Sequence, residues 1–230
     1  MRTTLLFAAL GCLALAACEP AAAQSGSGVI TGVVRFIGTP PRAKVIKRAS
    51  EPVCDKGRVV DQSISVTGGK LANVHVAIKS GSMGAHKAPS KPVIVYQNQC
   101  IYEPRVQGIQ QGQKLFVANG DPVMHNVHAK RDGSTWTNQS QQPGSKRLEL
   151  DVGKAGEVLQ LGCDVHRWMR AYLPITDHPF FDVTEADGAF EIKGVPAGKT
   201  VTLEAWHEKL GKKTVEAKAG EPVVIKFLGR

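Results

Sequence analysis

Four side chains in two short segments have the types and spacing to hold one metal ion. His125 lies in Val123-Met124-His125-Asn126-Val127-His128. Cys163, His166 and Met169 lie in Cys163-Asp164-Val165-His166-Arg167-Trp168-Met169. One thiolate, two imidazoles and a weak thioether form the donor set of a blue-copper electron-transfer site. A Cys-x2-His-x2-Met run on one tight loop after a strand can aim three side chains at one point. The fourth donor, His125, must then come from a neighbouring strand end, and Asp121-Pro122 gives that strand a turn at its start. A single Cys, Met or His is usually packing, but all four at this spacing read as a copper site. On a strand, positions i and i+3 face opposite sides, so His128 is expected to point away from a metal held by His125. Met124 is expected to face away too, as hydrophobic rim.

The elements that must position these residues read as short strands. The chain has 230 residues, a 42% hydrophobic fraction and 21% charged residues, enough apolar content for a packed core. Alternating segments run at Val29 to Phe36, Val74 to Ile78, Lys91 to Tyr96, Lys114 to Ala118, His125 to Ala129, Arg147 to Val152 and Val158 to Gly162. Others follow at Ala189 to Ile192, Thr200 to Trp206, Lys213 to Ala217 and Val223 to Phe227. Turn signals such as Thr67-Gly68-Gly69, Asn119-Gly120-Asp121-Pro122 and Asp187-Gly188 separate them. No stretch has a useful helical period. The expectation is an all-β chain of sandwiches or small barrels.

Residues 1–23 read as an export signal: a positive start at Met1-Arg2, then apolar or small residues from Leu5 to Ala17. Two processing patterns compete. Leu15-Ala16-Ala17-Cys18 resembles a bacterial lipobox, in which Cys18 is lipidated, and this is the reading preferred. Ala21-Ala22-Ala23 before Gln24 resembles an ordinary cut site giving a soluble form. Either one places the chain in an oxidising bacterial periplasm or cell envelope, touching membrane only through a possible lipid anchor. No later run has eighteen or more apolar residues.

The residues around the four donors resemble the cupredoxin family, most of all amicyanin and then plastocyanin. The resemblance spans about residues 92–176 and includes Gly112-Gln113-Lys114 and Lys154-Ala155-Gly156. It implies a Greek-key β-sandwich with one type 1 copper ion. His125, Cys163 and His166 would be equatorial ligands and Met169 axial. Asn126 matches the residue that ties the two ligand loops together. The family often has Pro after the second His, where this chain has Arg167, and often an aromatic before the Cys, where it has Leu159 and Leu161.

The C-terminal cadence from Val183 to Ile192, then Gly194-Val195-Pro196-Ala197-Gly198, resembles the second half of a carboxypeptidase-regulatory-like (transthyretin-like) sandwich. Gly32-Val33-Val34 and Leu71 to Val76 would be its first half. The organisation expected is therefore 29–80 and 179–230 as one small sandwich, with 81–178 inserted as the cupredoxin unit. A single sandwich elaborated at both ends is the alternative.

Cys54 and Cys100 remain. An even pair in an oxidising compartment points to a disulfide, stabilising by about 2–4 kcal/mol. The rival is a second metal site with His75 or His86. His178 and His207 are each read as packing or junction residues. No G-x-S-x-G elbow and no paired H-x-H and H-C-H motifs are present, so the chain is read as no enzyme.

Lys+Arg exceed Asp+Glu by 29 to 20, giving +9. No basic run is interleaved with aromatics, so nucleic acid is not an expected partner. The expected function is one-electron transfer to an acidic redox protein, a cytochrome or a dehydrogenase, docked at the exposed edge of His166 beside Arg167 and Trp168. Two alternatives stay open: a copper carrier or stress protein, and an envelope interaction module with structural copper.

Overall fold

The computed structural model describes residues 27–48, 51–79, 81–84 and 86–229. The export signal and Cys18 lie outside them. The fold is all-β. In chain order the strands are β1 Ser27–Ile37, β2 Val66–Thr67, β3 Lys70–Leu71, β4 His75–Ile78, β5 Val93–Asn98, β6 Ile101–Glu103, β7 Ile109–Gln110, β8 Leu115–Asn119 and β9 His125–Arg131. Then come β10 Ser134–Gln141, β11 Leu148–Leu150, β12 Val158–Gly162, β13 Arg170–Thr176, β14 Phe181–Val183, β15 Ala189–Pro196, β16 Thr200–His207, β17 Gly211–Lys218 and β18 Val223–Leu228.

Two sheets come from the chain ends and two from its middle. One outer sheet runs β15-β1-β3-β2, with β18 parallel to β1, and the other runs β14-β4-β16-β17. Ile30, Val34, Phe36, Val76, Leu203 and Phe227 fill the space between them. The period-2 pattern explains this: Val223, Ile225 and Phe227 alternate inward along β18 while their neighbours face out. A Cβ at Gly32 would run into the Phe190 ring and the Val223 carbonyl, so β1 can lie between β15 and β18 only with glycine there.

The inner sheets run β10-β9-β12-β13-β7 and β11-β8-β5-β6. Their core holds Val95, Leu115, Val127, Leu159, Leu161 and Leu173, with Cys163 and Met169 at one end. Cys54, placed by sequence with the first part of the outer sandwich, packs in the inner core. The arm that carries it crosses over because its disulfide partner, Cys100, sits at the turn between β5 and β6.

Seven strands escaped the sequence pattern for physical reasons, and four of them, β2, β3, β6 and β7, have only two or three residues, too few to show an alternation. β10 is Ser-Thr-Trp-Thr-Asn-Gln-Ser-Gln, an edge strand exposed along most of its length, so no apolar alternation marks it. β13 contains Pro174, a residue that argues against a strand. β14 has only three residues.

The two sandwiches are joined by polar side chains. Arg105 Nε donates to Glu208 Oε1 across 2.5 Å. His178 donates from Nε2 to the Ile78 carbonyl (2.9 Å) and accepts at Nδ1 from the Phe180 N–H (3.2 Å). Tyr172 and Trp206 pack with ring centroids 5.6 Å apart.

Candidate metal centre

β9 sets the first candidate donor by register. Val127 and Ala129 are buried in the inner core, and His125 shares their parity, so its ring points inward and is fully buried. His128 has the opposite parity. It faces out, Nδ1 to Asp164 Oδ1 and Nε2 to Thr135 Oγ1, each at 2.8 Å. Met124 is half-buried at the strand's start.

β12 delivers Cys163 at its end, and the loop to β13 turns back at once. The Met169 N–H closes that turn on the His166 carbonyl at 2.9 Å. His125, Cys163 and His166 are all buried and each offers a donor atom within 4.8 Å of the others'. The two Nδ1 atoms of His125 and His166 are 2.9 Å apart, and Cys163 Sγ is 3.8 Å from His166 Nδ1. Met169, on the same loop, is fully buried in the same core.

Hydrogen bonds around the donors orient the inward ring nitrogens and the sulfur toward one another. Asp121 Oδ2 lies 2.9 Å from His125 Nε2 and holds the outer edge of the ring, which turns Nδ1 toward His166 and Cys163. The backbone N–H groups of Asn126 (3.2 Å) and His166 (3.4 Å) both point at Cys163 Sγ. Tyr102 ties β9 to the end of β12, donating its hydroxyl to the Asn126 carbonyl at 2.8 Å, with the Gly162 carbonyl at 3.3 Å. Asn126 thus links the ligand loops through its backbone N–H, while its side chain reaches Asn138.

The titration shifts match this arrangement. Burial alone would raise the Cys163 thiol, but the His125 hydrogen bond and the N–H groups of Asn126 and His166 bring it below its ordinary value. Burial would lower His125, yet Cys163 and Asp121 raise it on balance. Burial, then the neighbouring His125, lowers His166. A thiol biased to thiolate between two imidazoles suits a soft, thiophilic transition metal. The donor chemistry therefore fits copper.

The surroundings of His166 differ from the sequence expectation of an exposed ring edge. His166 is 3% exposed. Its Nε2 meets Cys54 Sγ at 3.7 Å, and the Trp168 ring packs against it with centroids 5.2 Å apart. Trp168 is half-buried, its indole N–H donating to the Cys100 carbonyl at 2.8 Å. Arg167 and Val165 remain exposed on either side. Cys54 and Cys100 form a disulfide, which leaves them no thiolate for a second metal site. His75 lies elsewhere, packed on Phe181, and His86 packs on Phe180.

Sequence reasoning missed Asp121 as a partner of His125. The signal available was a carboxylate four residues before a ligand histidine, across a Pro turn. Tyr102 and the contact between Cys54 and His166 had no sequence signal, because both depend on which strands become neighbours.

No family model and no curated protein matches the chain. Among solved structures, a purple cupredoxin from Nitrosopumilus maritimus is similar at 20% identity, covering 36% of this chain and 99% of that one, with a TM-score of 0.32. Amicyanin from Paracoccus versutus is similar at 19% identity, covering 44% and 96%, with a TM-score of 0.34. A copper-containing nitrite reductase from Thermus scotoductus SA-01 is similar at 18% identity, covering 42% and 25%, with a TM-score of 0.33.

Proposed function

We propose that the chain is an exported mononuclear blue-copper protein of cupredoxin type, a one-electron carrier of the bacterial periplasm or envelope. One observation carries this reading: three buried donor atoms of the blue-copper set lie within 4.8 Å of one another, and two backbone N–H groups are aimed at the sulfur. Copper bound there would supply a one-electron couple. His125, Cys163 and His166 would hold it, with Met169 as the weak fourth donor. The chain's own part is to stay still. The donors sit on two paired strands and one short turn, tied by Tyr102 and Asn126, so little needs to move when the charge changes. We read the outer sandwich, on its sequence cadence, as a carboxypeptidase-regulatory-like module. We also propose that the chain transfers electrons without catalysing a reaction, to an acidic redox protein that meets the Arg167 side.

The test is to add Cu(II) to the mature metal-free protein and record the visible spectrum, with Cys163→Ser as control. An intense thiolate-to-copper band that vanishes in the variant supports the reading. A pale complex, or none, overturns it. One observation favours a second reading, copper held without shuttling: His166 is covered. Electron self-exchange separates the two, fast for a carrier and slow for a store.

A further inference from the structure

The disulfide lies directly over the metal-binding pocket, where a blue-copper ligand would be expected to meet solvent. Cys54 and Cys100 are both fully buried, and Cys54 Sγ stands 3.7 Å from His166 Nε2. Cys100 makes three separate links to the site. Its sulfur bonds Cys54, its N–H donates to Asp121 Oδ2 at 2.9 Å, and its carbonyl accepts from Trp168. Gln99 and Cys100 both adopt left-handed backbone conformations, φ 51° and 55°, to make this turn.

The covering segment is a compact turn. The N–H groups of Cys54 and Asp55 donate to the Glu51 carbonyl at 2.9 and 3.1 Å. Arg48 is 1% exposed and donates to the carbonyls of Lys56 and Gly57, each at 2.9 Å, and of Gln99 at 2.7 Å. Among the described residues, Cys54 apart, no side chain from Glu51 to Gly57 is hydrogen-bonded to the inner sandwich. The disulfide is a covalent tie from the turn to the inner sandwich, and Arg48 bridges the turn to Gln99 by hydrogen bonds.

We propose that Cys54–Cys100 is a redox modification site, a dithiol-operated cover whose reduction releases the 51–57 turn and opens Nε2 of His166. This rests on the reading of His166 as a metal ligand. The co-reactant is a dithiol. One of its thiolates attacks a chain sulfur, the S–S bond breaks and a mixed disulfide forms. Its second thiol then displaces the chain and leaves as the oxidised disulfide. Two electrons and two protons end on Cys54 and Cys100. Because both sulfurs are buried, the attack waits on local opening of the turn, so opening sets the rate. With the cover off, the His166 edge stands between exposed Val165 and Arg167, open to a docking partner. With it on, the pocket is sealed.

The test uses the mature chain, both metal-free and loaded with Cu(I), before and after dithiothreitol under argon. Mass spectrometry after alkylation counts the reduced cysteines. Diethyl pyrocarbonate labelling reads access to His166, and amide hydrogen exchange reads residues 51–57. Reduction is expected to raise labelling of His166 about tenfold or more and to speed exchange in the turn, with β9 and β12 unchanged. Full reduction with His166 as protected as before overturns the proposal. So does a disulfide that resists dithiothreitol until the whole chain unfolds. Cys54→Ala with Cys100→Ala should reproduce the open state without reductant; if that variant misfolds, the reduced native chain still decides. The metal-free arm reads the cover alone. A chain that takes no copper yet shows the His166 response fails the copper reading and keeps the cover, while a blue chain without the response fails the cover only.

Discussion

Asp121 Oδ2 is shared between the ring N–H of His125 and the backbone N–H of Cys100, each at 2.9 Å. One carboxylate therefore orients the His125 ring, a candidate metal donor, and anchors the turn that covers the other imidazole. Asp121 is 7% exposed, so little water is at hand to replace it. Asp121→Ala is expected to weaken copper binding about 10–100-fold, as loss of a partner behind a ligand histidine does elsewhere. Asp121→Asn keeps an acceptor without the charge and should fall between. Competition with a chelator measures both, and an unchanged affinity would show that Asp121 does not orient His125.

Met169 is fully buried in the inner core, so its contribution to packing must be separated from its contribution to the metal. Met169→Leu conserves volume and should cost less than about 1.5 kcal/mol of stability. It removes the thioether and dries the site, which favours the lower charge of Cu(I). The reduction potential of the copper form is expected to rise, read by voltammetry. A normal fold with an unmoved potential would take Met169 out of the ligand set.

The site was more legible than the frame around it. The convergence of His125, Cys163 and His166 was foreshadowed by residue types that are chemically unusual together, and the parity of β9 separates His125 from His128 on pattern alone. β12 and β18 were legible because they alternate. β10 was not, since an edge strand facing water needs no apolar face. The burial of His166 was not legible either. It depends on a distant segment, residues 51–57, and a disulfide across 46 residues brings that segment onto the site. Such long-range contacts follow from topology and leave no local trace.

The junction of the two sandwiches gives a third prediction. Glu208's side chain is 1% exposed and that of Arg105 14% exposed, and they meet at 2.5 Å. Arg105→Ala would leave a buried carboxylate without its partner. The expected loss is about 3–5 kcal/mol in urea unfolding. Glu208→Gln added to that variant should recover part of it. A loss under about 1 kcal/mol would class the pair with exposed ion pairs.

Two other histidines make the fold sensitive to acid. Burial, reinforced by the nearby charge of His178, lowers His75 from 6.5 to about 3, and burial with Arg105 and Lys209 lowers His207 to about 4. His207 accepts at Nδ1 from the N–H groups of Lys209 and Leu210, and its Nε2 has no partner among the described residues. Both rings are therefore neutral in the fold. Once unfolded they take a proton near pH 6.5, so below that pH the unfolded chain binds more protons and stability falls. The fall continues to about pH 4 for His207 and about pH 3 for His75. Between pH 7 and pH 5 each is expected to remove about 2 kcal/mol, measured as the change in unfolding free energy of the metal-free chain. His75→Phe should flatten its share of the slope without touching the metal centre, since His75 packs on Phe181 at the domain junction. A slope left intact in that variant would mean that His75 takes its proton inside the fold.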